Sequence, residues 1–264
     1  MKYKCLSRSI QGTPYTVRTD ISELEYCVLK QRLDVILELS EEMDYWDLLD
    51  YNVAQLESVF SRAGCGQENS FRDLNGTFSN VLSSYYLWKC YNKHQGGEKF
   101  EQLLQEARSN HVECYLFSEL RNYLAHNGFV INTIKFDVLK EITSFYIDPQ
   151  LLLKYANRKK NPPNARYKQY LQQLVDNQRE IEVQELMRVF DIIYPEIQKD
   201  YWKTLEPKTK QCLELLFSAV PREEPDLYNS YIMSDDRKDY FGIGQPLSRF
   251  INKASSLYPQ FLEL

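Results

Sequence analysis

The chain has 264 residues, a formal net charge of −5, 43% hydrophobic residues and 9 glycines. That apolar content suffices for one large core, and the scarcity of glycine argues for long helices and against a barrel or sandwich. The acidic balance argues against a protein held to nucleic acid by bulk charge, although a cleft can still be locally basic. No apolar run approaches the length of a membrane-spanning helix. The opening MKYKCLSRS lacks an apolar run, and the cysteines at 5, 27, 65, 90, 114 and 212 show no paired short spacing. The expectation is reduced thiols in a cytoplasmic protein.

Taken in order, residues 2–19 hold a turn signal, Gln11-Gly12-Thr13-Pro14, between two short alternating stretches, and read as a small hairpin. Ser22 followed by Glu25 forms a capping box that opens a helix carrying Leu29, Leu33, Ile36, Leu37 and Leu39. A break is expected near Ser40. A second helical stretch then runs from Met43 to Ala63, and Gly64-Cys65-Gly66 ends it. Asn69 or Ser70 caps the next helix, which reaches Asn92 with Phe71, Leu74, Phe78, Leu82, Tyr85, Tyr86 and Trp88 as its apolar and aromatic positions. Gln95-Gly96-Gly97 breaks it, and a short amphipathic helix follows over 98–110.

The helix over about 111–127 is the one with chemistry on it. Leu116, Leu120 and Leu124 recur at four-residue steps beside Phe117 and form the buried stripe, and Gly128 stands where a terminal glycine stops a helix. At about 100° per residue, Asn122 and His126 share a face, Glu119 falls on it too, and Arg121 flanks it. Histidine takes and gives protons near neutrality, and arginine forks onto phosphate oxygens. An acid–base group beside a phosphate clamp is what metal-free phosphodiester cleavage needs. The bland reading is a surface arginine and a histidine favoured by the helix dipole.

Beyond the motif, Phe129-Val130-Ile131 and Ile142 to Ile147 are β-prone, a second hairpin able to pair with the N-terminal strands. A short helix begins at Pro149. Arg158-Lys159-Lys160-Asn161-Pro162-Pro163 is a basic loop. Helices are expected over Arg166 to Val175, Ile181 to Trp202 with Pro195 kinking or splitting it, Lys208 to Ala219, and Ser248 to Tyr258. Pro221 to Asp239 reads as an irregular acidic loop, and Phe241-Gly242-Ile243-Gly244-Gln245 as a turn. No internal repeat or low-complexity tract interrupts the chain.

Other constellations carry less. Cys90 and His94 have a metal-like spacing but no complementary pair. Glu41-Glu42-Met43-Asp44, Asp47, Asp50 and Ser234-Asp235-Asp236 read as solvated acidic faces and loops. No phosphate-binding glycine loop and no nucleophile elbow is present, and no cofactor or metal is called for.

Arg121-Asn122-Tyr123-Leu124-Ala125-His126, an R-x-x-x-x-H with a polar residue directly after the arginine, resembles the signature of the HEPN superfamily. The preceding helix, bearing Asn75, Ser79, Asn80, Ser83 and Ser84, looks similar as well. The resemblance implies a mainly α, antiparallel helical bundle with small β-hairpin additions and a helical C-terminal extension. The resemblance covers roughly residues 22–126, and with no linker to split it the chain reads as one domain over 1–264: a hairpin-like segment at 1–21, a helical core at 22–128, and a hairpin with helical extension at 129–264. The resemblance also implies a metal-independent endoribonuclease leaving a 2′,3′-cyclic phosphate, in a toxin, defence or stress setting. Two copies would pair so that Arg121 and His126 of each line one cleft on RNA, with an antitoxin or defence-system protein as a further partner. Arg121 would hold the phosphate, His126 would act as base or acid, Asn122 would orient, and Glu119 would support. Gly128 stands where some toxins of this family carry a modifiable tyrosine. The competing readings are a non-catalytic HEPN-like module binding nucleotide, RNA or protein, and an unrelated helical scaffold.

Overall fold

The computed structural model describes residues 3–7, 16–64, 71–158, 164–220, 230–234 and 240–264. The fold is mainly α with small antiparallel sheets. The chain divides into two units, one formed by residues 1–44 and 202–264 and the other by 45–201. Two long helices, α1 (Glu23–Gly64) and α6 (Val183–Ala219), each contribute to both.

In the first unit, β1 (Tyr3–Ser7) pairs antiparallel with β2 (Thr16–Ile21) on one side and with β6 (Ser230–Ser234) on the other. β7 (Tyr240–Gly242) adds to β6, giving the order β2-β1-β6-β7. The N-terminal hairpin is thus present, and its partner strand lies in the stretch expected to be an irregular loop. Tyr231-Ile232-Met233 supplies the β-prone centre there, with burial alternating along the strand. Phe241 to Gln245 is not an isolated turn. β7 runs directly into α7 (Gly244–Leu257), which is followed by a 3-10 turn at Pro259–Leu262. Ser22 caps α1 as expected: its hydroxyl accepts from Glu25 N at 3.2 Å, and Glu25 Oε2 accepts from Ser22 N at 2.7 Å.

No break occurs at Ser40, and α1 continues through it. Its neighbours Leu39 and Met43 are buried, so packing holds the helix across a weak former. Glu42, expected on a solvated face, is buried and accepts a hydrogen bond from Trp202 Nε1 at 2.6 Å. Asp44 takes Arg249 at 2.7 Å and Lys253 as ion-pair partners.

The second unit contains the remainder of α1, then α2 (Phe71–Asn110), α3 (Glu113–Asn127), β3 (Thr133–Asp137), β4 (Ile142–Ile147), α4 (Pro149–Arg158), α5 (Ala165–Asp176), β5 (Ile181–Glu182) and the first half of α6. α2 kinks at Gly97, whose φ of 51° only glycine adopts readily. A side chain on the adjacent Gly96 would place its Cβ 2.5 Å from Tyr201 Oη, so this approach requires glycine too. The core is aromatic: Tyr85, Trp88, Phe100, Phe117, Phe190, Tyr194 and Tyr201 are buried, with ring pairs such as Phe117–Phe190 at 4.9 Å. Trp88 Nε1 and Asn92 Nδ2 both donate to the buried Gln198 Oε1, while the buried Asn92 Oδ1 accepts no hydrogen bond among the described residues.

Three expectations about this unit are corrected. The second hairpin, β3–β4, joins β5 in the order β3-β4-β5 and does not pair with the N-terminal strands. Its first strand begins at Thr133, because Val130 and Ile131 are held by a side chain instead. The buried Asn75 accepts from both backbone N–H groups at 3.1 and 2.9 Å and donates to Ile131 O at 3.0 Å. Finally, α6 is one helix through Pro195 and Pro207, not two. Ile193, Tyr194, Ile197 and Gln198 are all buried around the first proline, so packing outweighs the single backbone bond lost there. The expected turn at Gln11 to Pro14, the cap at Asn69 or Ser70, the loop residues 159–163, and Asp235 and Asp236 lie outside the described residues.

Candidate functional site

The motif helix α3 ends where the sequence implies. Gly128 has φ 87° and donates its N–H to Leu124 O at 3.2 Å, closing the last turn. Cys114, Leu116, Phe117 and Leu120 are buried, which fixes the helix and turns its other face outward. α2 and α3 run antiparallel. Tyr86 meets Arg121 and Lys89 meets Ser118, so the numbering rises on one helix as it falls on the other.

Arg121 is half-buried, with its guanidinium carbon 3.9 Å from the centre of the Tyr86 ring. Lys89 Nζ lies 5.4 Å from the same ring and donates to Ser118 Oγ at 3.0 Å. Two cations therefore flank one phenol on the surface of an acidic protein. Each such contact contributes about 0.5–1 kcal/mol where it is exposed. The Tyr86 hydroxyl is held above its ordinary pKa by a hydrogen bond with Cys90 and the charge of that thiol, against the opposing pull of Arg121.

His126 is exposed in the last turn, its ring centre 6.3 Å from that of Tyr155. Tyr155 donates to the Asn122 carbonyl at 3.2 Å and meets Tyr123 edge-on at 5.4 Å. Burial, then the charge of Asp148, raises the Tyr123 phenol. Glu119 is half-buried; after burial, its charge is the next cause holding the α5 residue Tyr167 un-ionised. Among the described residues, the side chains of Arg121, Asn122 and His126 make no hydrogen bond or ion pair.

Sequence reasoning missed Tyr86 and Lys89 as neighbours of Arg121, and Tyr155 as the neighbour of His126. The first pair carried a signal. Tyr86, Lys89 and Cys90 share one face of α2, and Ser118 and Arg121 share one face of α3, so antiparallel packing lays the two rows together. Tyr155 carried none, because it arrives from α4 across a strand pair. Among the described residues, no group of three or more His, Cys, Asp and Glu side chains is placed to hold a metal ion. No protein-family model, curated protein or solved structure matches the chain.

Proposed function

We propose that this chain is a metal-independent endoribonuclease of the HEPN type, acting at a site doubled by two-fold pairing of α3. The observation that carries the reading is a set of side chains on one helix, the half-buried Arg121 and Asn122 and the exposed His126, whose polar groups make no hydrogen bond or ion pair among the described residues. A guanidinium stacked on a ring keeps its N–H edge for a planar, bidentate anion such as phosphate. In the shared site, one His126 takes the proton of a ribose 2′-hydroxyl as its oxygen attacks phosphorus. The second His126 returns a proton to the departing 5′-oxygen. Arg121 stabilises the charge that builds on the pentacoordinate phosphorus, and Asn122 orients the group beside it. The products are a 2′,3′-cyclic phosphate and a 5′-hydroxyl. An effector of this kind needs restraint, which an antitoxin or defence-system partner supplies.

A second reading is favoured by the Arg121–Tyr86 stack. A guanidinium at 3.9 Å from a ring is also a structural clip, as in a non-catalytic module that binds nucleotide, RNA or protein. Single-turnover cleavage of total RNA with chelator present, followed by sequencing of the new ends, separates the two. The ribonuclease reading expects cyclic-phosphate ends from the native protein and none from His126→Ala. Equal cleavage by that variant, or none by the native protein in its dimeric form, would overturn it.

A further inference from the structure

A cavity of about 500 Å³ opens in the second unit, away from the C-terminal end of α3. Volumes in this range accept a small ligand. Its floor is apolar, with Leu116, Leu174, Ile181 and Leu186 all buried. Its walls carry the phenols of Tyr146 and Tyr170 and the carboxylates of Glu113, Glu180 and Glu182.

The charges of this lining do not cancel. Lys135 is seated on one wall, its ammonium 4.4 Å from the Tyr146 ring centre and ion-paired to Glu180. That pair raises the lysine above its ordinary pKa, first through its hydrogen bond to Glu180. Glu185 is tied to Arg188. Among the described residues, the side chains of Glu113 and Glu182 have no hydrogen-bonding or ion-pair partner, and neither has that of Arg179 in the same lining. Two unpaired carboxylates thus share the lining with one exposed guanidinium. Burial, and then the charge of Glu113, push the Tyr170 phenol up, so this end of the cavity is a negative, partly dehydrated environment.

The protein's own ammonium on Tyr146 and Glu180 shows what this lining accepts: a cation over a phenol face with a carboxylate beside it. We infer that the cavity binds an aliphatic di- or triamine, with one ammonium at Tyr170 and Glu113, another at Glu182, and its methylene chain along the leucine and isoleucine floor. The two unpaired carboxylates match two ammonium groups, and the apolar floor suits the methylenes between them. Arg179 swings out to solvent as the amine enters. This inference stands independently of the ribonuclease reading, since no residue of Arg121, Asn122 or His126 lines the cavity.

The test is calorimetric titration of the full chain with putrescine and with spermidine at low ionic strength. The expected result is saturable one-to-one binding, weakened about tenfold by Glu182→Gln and by Glu113→Gln, each a lost charge-assisted contact. Arg179→Gln should leave amine affinity equal or higher. Glu196→Gln, an exposed carboxylate outside the cavity, should change nothing, and thermal melts confirm that each variant is folded. Three results overturn the inference: no saturable binding at millimolar amine, undiminished binding in the Glu113→Gln/Glu182→Gln double variant, or binding of free glutamate that Arg179→Gln abolishes. The last would identify a zwitterion site instead.

Discussion

From Cys114 to Leu120 the motif helix sends four side chains into the core, whereas from Arg121 to His126 the same helix is half-buried and then exposed. The inner half seats Phe117 among Tyr85, Phe190 and Tyr194 with ring centres 5.7, 4.9 and 5.6 Å away. Even its backbone is spoken for, since the Cys114 carbonyl accepts from Tyr194 Oη at 3.4 Å. Burial pushes the Cys114 thiol up to about 11, which makes it inert. The outer half has a stacked arginine, an exposed histidine and an asparagine whose side chain has no partner among the described residues. A rigid inner half is what lets an outer half hold unpaired groups at fixed positions, because catalytic side chains need anchored backbones and free polar ends.

The strongest way to break this comparison is to remove the anchor. Phe117→Ala deletes a fully buried ring and should cost about 3–5 kcal/mol. Urea unfolding should then show a much lower midpoint. A stability loss under about 1 kcal/mol would mean that the inner half is not the anchor.

The outer half should behave in the opposite way. His126→Ala should lower cleavage by about 10²–10⁴-fold and move stability by no more than about 0.5 kcal/mol. Arg121→Ala should lose a similar share of activity through lost phosphate stabilisation, with about 0.5–1 kcal/mol of stability gone with the Tyr86 contact. The comparison fails if His126→Ala unfolds the protein, because that residue would then belong to the anchor.

Asn75 joins the halves from outside. It replaces a strand partner for Val130 and Ile131, directly after the motif helix ends. Asn75→Ala leaves two N–H groups and a carbonyl without partners in a buried place, a loss of about 2–4 kcal/mol. Asn75→Asp keeps the two accepting contacts but not the donated one, so its melt should fall between native and alanine. Equal melts for both variants would place the anchoring elsewhere.

The sequence made α3 legible because both its signals are local: a four-residue leucine period and a terminal glycine. The Ser22–Glu25 cap and the Gly96-Gly97 kink were legible for the same reason. The misreadings share an opposite cause. Ser40 and Pro195 are local helix breakers overruled by the burial of their neighbours, and no window of sequence contains the partners those neighbours pack against. The pairing of β1 with β6 joins residues more than two hundred positions apart. The residues of the candidate site were readable as a face of one helix, but Tyr86 and Tyr155 come to that face from other helices. The fate of Glu42 was hidden likewise, since an acidic run looks solvated until Trp202 donates to it.

The smallest effect tests whether surface groups left unpartnered are under electrostatic tension, and α6 offers the place. Phe190 and Tyr194 turn into the aromatic core, while Asp191 between them is exposed. Partial withdrawal from water, then the charges of Glu57 and Asp50, push its carboxyl up to about 6 from an ordinary value near 3.8. The folded state therefore holds this proton more tightly than the unfolded chain. Between about pH 4 and 6 the native protein binds the extra proton, so stability falls as pH rises through that window and stays lowered above it. Because the side chain is open to solvent, screening reduces the effect to under about 1 kcal/mol at neutral pH. Asp191→Asn should raise the urea midpoint slightly at pH 7.5 and leave it nearly unchanged at pH 4, where both proteins are neutral at this position. A variant that is instead less stable at pH 7.5 would show that Asp191 has a cation for a partner in solution, and the surface of α6 would then resemble the inner half of α3 more than the outer.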